Sequence, residues 1–96
     1  MPAGDAVTGG PTSVTAGSYL DLRPASTDIE WVIHNIWHEG SAELYFYDGT
    51  NEILCDSHSS AGGWVNMALH CTYSRYYRVK KTGSDGKISY DGIRTK

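Results

Sequence analysis

Turn signals cut the chain from Ser18 onward into short apolar runs, and this rhythm constrains the fold more than any other feature of the sequence. Ser18–Leu22 alternates apolar and polar residues and stops at Arg23-Pro24. Ile29–His38, Ser41–Asp48 and Glu52–Asp56 follow, then Trp64–Cys71, Tyr73–Lys80 and the closing Lys87–Tyr90 with Ile93–Thr95. Asp48-Gly49 and Asp85-Gly86 are tight-turn pairs suited to hairpins. About seven short strands at roughly 8–12 residue spacing predict an all-β chain, a small antiparallel β-sandwich or jelly-roll-like barrel.

Ile29–His38 is the richest run, and two periods compete for it. At period two, Ile29, Trp31, Ile33, Asn35 and Trp37 share a mostly apolar face, with Glu30, Val32, His34, Ile36 and His38 opposite. At period 3.6, Thr27 and Glu30 make a capping box and Gly40 a stop. Valine and isoleucine are stiff in helices, and the neighbouring runs are strand-like, so the strand is favoured. In Ser41–Asp48, Leu44 and Phe46 take one face while Tyr45 and Tyr47 take the other.

The 96 residues, 40% apolar and 20% charged, fit one folded domain with a thin core. Residues 1–18 are mostly Gly, Ala, Thr, Ser and Pro, with valine only at 7 and 14. They read as an extended N-terminal arm that anchors a partner through Val7, Thr8 and Val14, ahead of a single sandwich domain over residues 19–96. The start of the chain lacks the basic head and apolar stretch of a secretion signal. No apolar run is long enough to span a bilayer as a helix. A net charge of −3 argues against non-specific nucleic-acid binding. Neither a membrane nor a nucleic-acid partner is expected.

The charge is unevenly spread, at −6 over residues 1–48 and +3 over residues 49–96. Either acidic and basic strands pair within one sheet, or the surface is polarised for docking on a copy or a partner. Pairing within the domain is the simpler expectation.

Catalytic and metal chemistry find little purchase. His34 and His38 on a strand lie about 13 Å apart at 3.3 Å per residue, too far to share an ion. Ser57, Ser59 and Ser60 flank His58 in a small-residue segment without a nucleophile elbow. Gly9-Gly10 and Gly62-Gly63 lack the Lys-Ser/Thr companion of a phosphate loop. No enzyme activity, metal or cofactor is expected. Cys55 and Cys71 are expected as reduced thiols, since a lone pair is no disulfide framework.

Three Trp, seven Tyr and one Phe exceed what a thin core holds. Trp37, Tyr45, Tyr47, Tyr76, Arg75 and Arg78 are the candidate interface residues, because aromatics and arginine concentrate where proteins meet. Sugar stacking on Trp37, Trp64 or Tyr47 is the alternative use, in a carbohydrate-binding β-sandwich.

Trp31-Val32-Ile33-His34-Asn35-Ile36, Tyr47-Asp48-Gly49, Arg75-Tyr76-Tyr77-Arg78-Val79-Lys80 and Ile88-Ser89-Tyr90-Asp91-Gly92 resemble small β-sandwich virion proteins of tailed bacteriophages, capsid decoration (cement) proteins being the nearest group. The resemblance covers roughly residues 29–96. It implies a non-enzymatic protein on the capsid surface, assembled in the host cytoplasm. Its partner would be the major capsid protein or another virion protein, and it would act as a homo-oligomer, a trimer being favoured. Another head or tail accessory protein of a phage is the neighbouring expectation.

Overall fold

The computed structural model describes residues 4–96 as nine strands, with no helix among them. They are β1 (Ala6–Val14), β2 (Tyr19–Leu22), β3 (Trp31–His38), β4 (Ala42–Tyr47), β5 (Glu52–His58), β6 (Gly62–Trp64), β7 (Leu69–Cys71), β8 (Tyr76–Lys81) and β9 (Gly86–Arg94). One sheet runs β1–β9–β3, with β6 and β7 both pairing on the far side of β3. The other runs β2–β8–β4–β5. Every pairing is antiparallel. Ile33, Ile36 and Ile88 from the first sheet meet Leu22, Leu44 and Val79 from the second in one core. The result is the sandwich of the two expected architectures, not the barrel.

Two strands exceed the expected count for separate reasons. The Trp64–Cys71 run is split because Asn66 adopts φ +57°, which no strand continues through. The other addition is β1, and it overturns the arm. Ala6–Val14 pairs with β9 from Ala6↔Ile93 to Val14↔Gly86. Val7 and Val14 are buried in the core, at 4% and 6% exposure. Of the three residues assigned to partner anchoring, only Thr8 faces solvent. The sandwich therefore begins by Ala6; residues 1–3 of the expected arm lie outside the described residues.

β3 is a strand as expected, but its face assignment changes halfway. Ile33 pairs with Gly92 and Asn35 with Asp91, so His34 is an extra residue in the ladder. Such a bulge inverts the alternation beyond it. Ile36 and His38 thus join Ile33 in pointing inward, and Trp37 points out. The period-two face that put Trp37 beside Ile33 is corrected by that single residue.

The uneven charge is matched in part inside the domain. Glu43 lies opposite Lys80 in the β4–β8 register. Arg78 reaches Asp21 at 3.0 Å and Glu52 at 3.4 Å, and Lys96 approaches Glu30 at 3.9 Å. Exposed pairs of this kind contribute about 0–1 kcal/mol each. Their larger effect is to set Asp21, Glu30 and Glu43 of the first half against basic residues of the second.

Candidate functional site

On β4 and β8 the inward residues are Leu44 and Val79, so their neighbours Tyr45, Tyr47, Tyr76 and Arg78 point outward. β2 adds Tyr19 and Asp21 to the same face, opposite Lys80 and Arg78. The side chains form a braced grid. The Arg78 guanidinium lies over both the Tyr19 and Tyr47 rings, 4.3 and 4.5 Å from their centroids. Tyr19 meets Tyr45 edge-on at 5.8 Å.

Hydroxyl hydrogen bonds lock the tyrosines. Tyr19 Oη donates to Glu52 at 3.1 Å, Tyr45 Oη to Glu43 at 2.7 Å, and Tyr47 Oη to the Gly49 carbonyl at 3.0 Å. The Glu43 carboxylate holds the Tyr45 proton in place and, with burial, pushes its pKa up to about 12. Burial and the Glu52 hydrogen bond raise Tyr19 as well, so Tyr19 and Tyr45 stay neutral donors across the physiological range.

Tyr76 departs from expectation. Although it sits on the outer side of β8, it is only 5% exposed. The Tyr47 ring packs edge-on against it at 5.5 Å and the Arg23 guanidinium lies 5.2 Å from its centroid. Tyr76 therefore floors the face rather than offering contact. Arg23 also covers Tyr73 at 3.9 Å and donates through Nε to the Tyr73 carbonyl. Between them, Tyr47, Tyr73, Arg23, Asp48 and Thr50 line a groove of about 320 Å³.

The remaining sequence candidates lie elsewhere. Trp37 is on the outer face of the first sheet, the opposite side of the sandwich. Arg75 lies over Phe46 at 5.3 Å, in a cleft shared with Tyr77 and His70. Trp64 is buried and His58 stacks on it at 4.2 Å and 17°, which closes it as a sugar platform. Sequence reasoning missed Tyr19, Arg23 and Tyr73 as members of the tyrosine face. Only the long-range β2–β8 pairing brings them there, and no local pattern announces it.

A second cluster joins the sheets at one edge. The Gly40 carbonyl can only accept, so His38 Nδ1–H donates to it at 2.7 Å. His38 Nε2 then accepts from His58 Nδ1–H at 2.8 Å. His58 Nε2 faces Asp56 at 3.6 Å, and Trp64 Nε1 donates to the same carboxylate at 2.7 Å. Beside this chain Lys81 is fully buried, its Nζ donating to the Ser41 and Thr82 carbonyls at 2.9 Å each. Among the described residues no three His, Cys, Asp or Glu side chains converge to hold an ion. Cys55 and Cys71 are both free, one exposed and one buried, and burial pushes the Cys71 thiol up to about 11.

Burial lowers the pKa of His38, with the neighbouring His58 and Lys81 acting in the same direction. An unfolded histidine takes up its proton near pH 6.5, whereas folded His38 resists to lower pH. Between those values the unfolded state binds more protons, so stability falls as the pH drops below about 6.5. Asp56, lowered chiefly by the Trp64 hydrogen bond, adds a second loss as the pH falls below 3.8. A melting series should therefore show a plateau near neutrality, a decline setting in below about pH 6.5 and a steeper one in strong acid. A melting temperature that is flat from pH 7.5 to 5 would contradict the buried neutral histidine.

The chain matches no protein-family model and no characterised protein.

Proposed function

We propose that the chain is a non-enzymatic virion structural protein that binds an assembled phage capsid and stabilises it, with the outer face of the β2–β8–β4–β5 sheet as its contact. One observation carries the reading: the Tyr19, Tyr45 and Tyr47 rings are held by hydroxyl bonds, with Arg78 stacked on Tyr19 and Tyr47. Tyrosine and arginine dominate the binding energy of protein interfaces. Side chains already fixed in one rotamer lose little further freedom on binding, which raises affinity for a given contact. The partner is the major capsid protein or another virion protein.

The trimeric association expected from the surplus aromatics belongs to the same proposal. Trp37 falls outside it, because opposite faces used head to tail stack copies in line rather than closing a three-fold ring. Light scattering of the chain on and off particles tests this, with a trimer expected at least in the bound state.

Co-sedimentation with undecorated particles tests the main reading. Tyr45→Ser and Tyr47→Ser are expected to weaken particle binding by about tenfold or more each, in line with interface hot spots. Both variants should melt within a few degrees of the parent. Full binding by both would remove the tyrosine face from the contact.

The groove between Tyr47 and Tyr73 favours a second reading, carbohydrate binding, since it pairs aromatic rings with Arg23, Asp48 and Thr50. Calorimetric titration against a glycan panel separates the two: heat lost in Tyr73→Ala would select the sugar.

A further inference from the structure

Four of the five edge strands are poor templates for further pairing. β2 is four residues long and runs into Arg23-Pro24. β1 is interrupted where its register shifts across Gly10 and Pro11, and proline has no N–H to offer. β6 and β7 are three residues each. β5 is different. It pairs with β4 on one side only, contains neither proline nor lysine, and is exposed from Glu52 to Ser57. Ile53 and Leu54 stand out to solvent on its two faces, at 62% and 51% exposure. Natural edges are usually blunted by charge, proline, brevity or a bulge. β5 has two acids and a single bulge, but its length and its apolar side chains on both faces leave room for another strand.

Charge says what that strand is. The β4–β5 hairpin carries Glu43, Asp48, Glu52 and Asp56, and the sequence has no lysine or arginine between Arg23 and Arg75. Lys80 and Arg78 on β8 match Glu43 and Glu52, so among the described residues Asp48 and Asp56 are left with no lysine or arginine in salt-bridge reach. A second copy aligned on β5 would set acidic hairpin against acidic hairpin, which is unfavourable. A bulge at Cys55, where Leu44 pairs with Asp56 and Tyr45 with Leu54, twists the edge and discourages flat, indiscriminate pairing. Side-chain complementarity is left to choose the occupant.

We infer that β5 is a strand-addition site for an extended segment of a partner protein that carries apolar and basic residues on both of its faces. Main-chain hydrogen bonds to the open edge supply affinity. Ile53 and Leu54, on opposite faces, each take an apolar side chain, and Asp48 and Asp56 take the basic ones. This rests on the shell-docking reading for the partner's identity, and it reverses the anchoring expected from the sequence: the partner lends the extended segment and this chain lends the edge.

The probe is the synthetic heptapeptide Val-Val-Lys-Lys-Val-Val-Lys, which sets both residue types on each face, compared by fluorescence anisotropy with the counterpart that has glutamate in place of lysine. The lysine peptide should bind at least about tenfold more tightly, with the difference shrinking in high salt. Hydrogen exchange should show new protection on β5 amides. Ile53→Lys and Leu54→Lys should each cost about tenfold in peptide affinity while the melting temperature holds, as for exposed positions. Equal binding of the two peptides, protection on another strand, unimpaired variants, or dimerisation of the chain through β5 would each overturn the inference. Parallel co-sedimentation keeps the two readings apart. Peptide capture without particle binding refutes the shell and leaves the edge standing, whereas particle binding with no peptide capture refutes the edge alone.

Discussion

Deleting residues 1–14 is expected to abolish cooperative folding rather than trim a dispensable tail. Val7 and Val14 are buried among the residues of the core, and each such side chain contributes about 1.5–3 kcal/mol when fully buried. Their loss alone removes a large part of the roughly 5–15 kcal/mol that holds a typical domain together. The deletion also leaves β9 with β3 as its one partner, opening its other edge from Gly86 to Ile93, and uncovers the Tyr90 ring, which lies against Gly9. Thermal melting followed by far-UV circular dichroism checks this, with loss of a sharp transition as the expected result. A truncated chain that melts within a few degrees of the parent would return β1 to the status of an arm.

The second large effect is expected at Gly92. β3 and β9 approach so closely there that an added methyl would meet the Ile33 Cα at 2.7 Å and the Val32 carbonyl carbon at 2.9 Å. These atoms are backbone in a central strand pinned by pairing on both sides, so no side chain can swing away. Overpacking that displaces backbone costs about 3 kcal/mol or more. For a domain of this size that corresponds to a fall in melting temperature of roughly 12 °C or more. Gly92→Ala measured by calorimetry tests it. Gly62→Ala is the control, since a methyl there meets nothing within 4 Å.

What was legible in the sequence and what was not divide along one physical line. The Asp48-Gly49 turn joins β4 to β5, and Leu44 and Phe46 lie opposite Tyr45 and Tyr47, as the alternation says. Hairpins and strands are local, so their signals are local. The failures sit at bulges. Val7 and Val14 are an odd number of residues apart and would face opposite ways in an unbroken strand. The shift between Gly9 and Thr12 brings both inward, opposite Gly92 and Gly86. The same one-residue insertion at His34 exchanges Trp37 for Ile36 and His38, and the one at Cys55 places Asp56 and His58 opposite Leu44 and Ala42. A period-two reading has no term for an inserted residue, so it loses phase at each. The tyrosine face was half legible: Tyr45, Tyr47 and Arg78 could be singled out by type. Their bracing by Tyr19 and Glu52, and the masking of Tyr76 by Arg23, depend on pairings that only the folded topology supplies.

The long stretch without lysine or arginine, which makes the exposed β4–β5 hairpin acidic, also decides how the chain is cut. A trypsin-like protease needs a basic residue before the scissile bond and does not cleave ahead of proline. Arg23 is followed by Pro24, so the first usable site in the chain is Arg75. The exposed edge strand and the Ser59–Ala61 bend beyond it are therefore inert to such enzymes even when the fold opens. Vulnerability is confined to the last quarter of the chain, at Arg75, Arg78, Lys80, Lys81, Lys87 and Arg94. Of these, Lys81 is shielded in the core, and Arg78 and Lys80 lie in the central strand β8. A docking edge that must stay uncovered until its partner arrives is thus carried on the one part of the molecule that digestion at basic residues cannot reach.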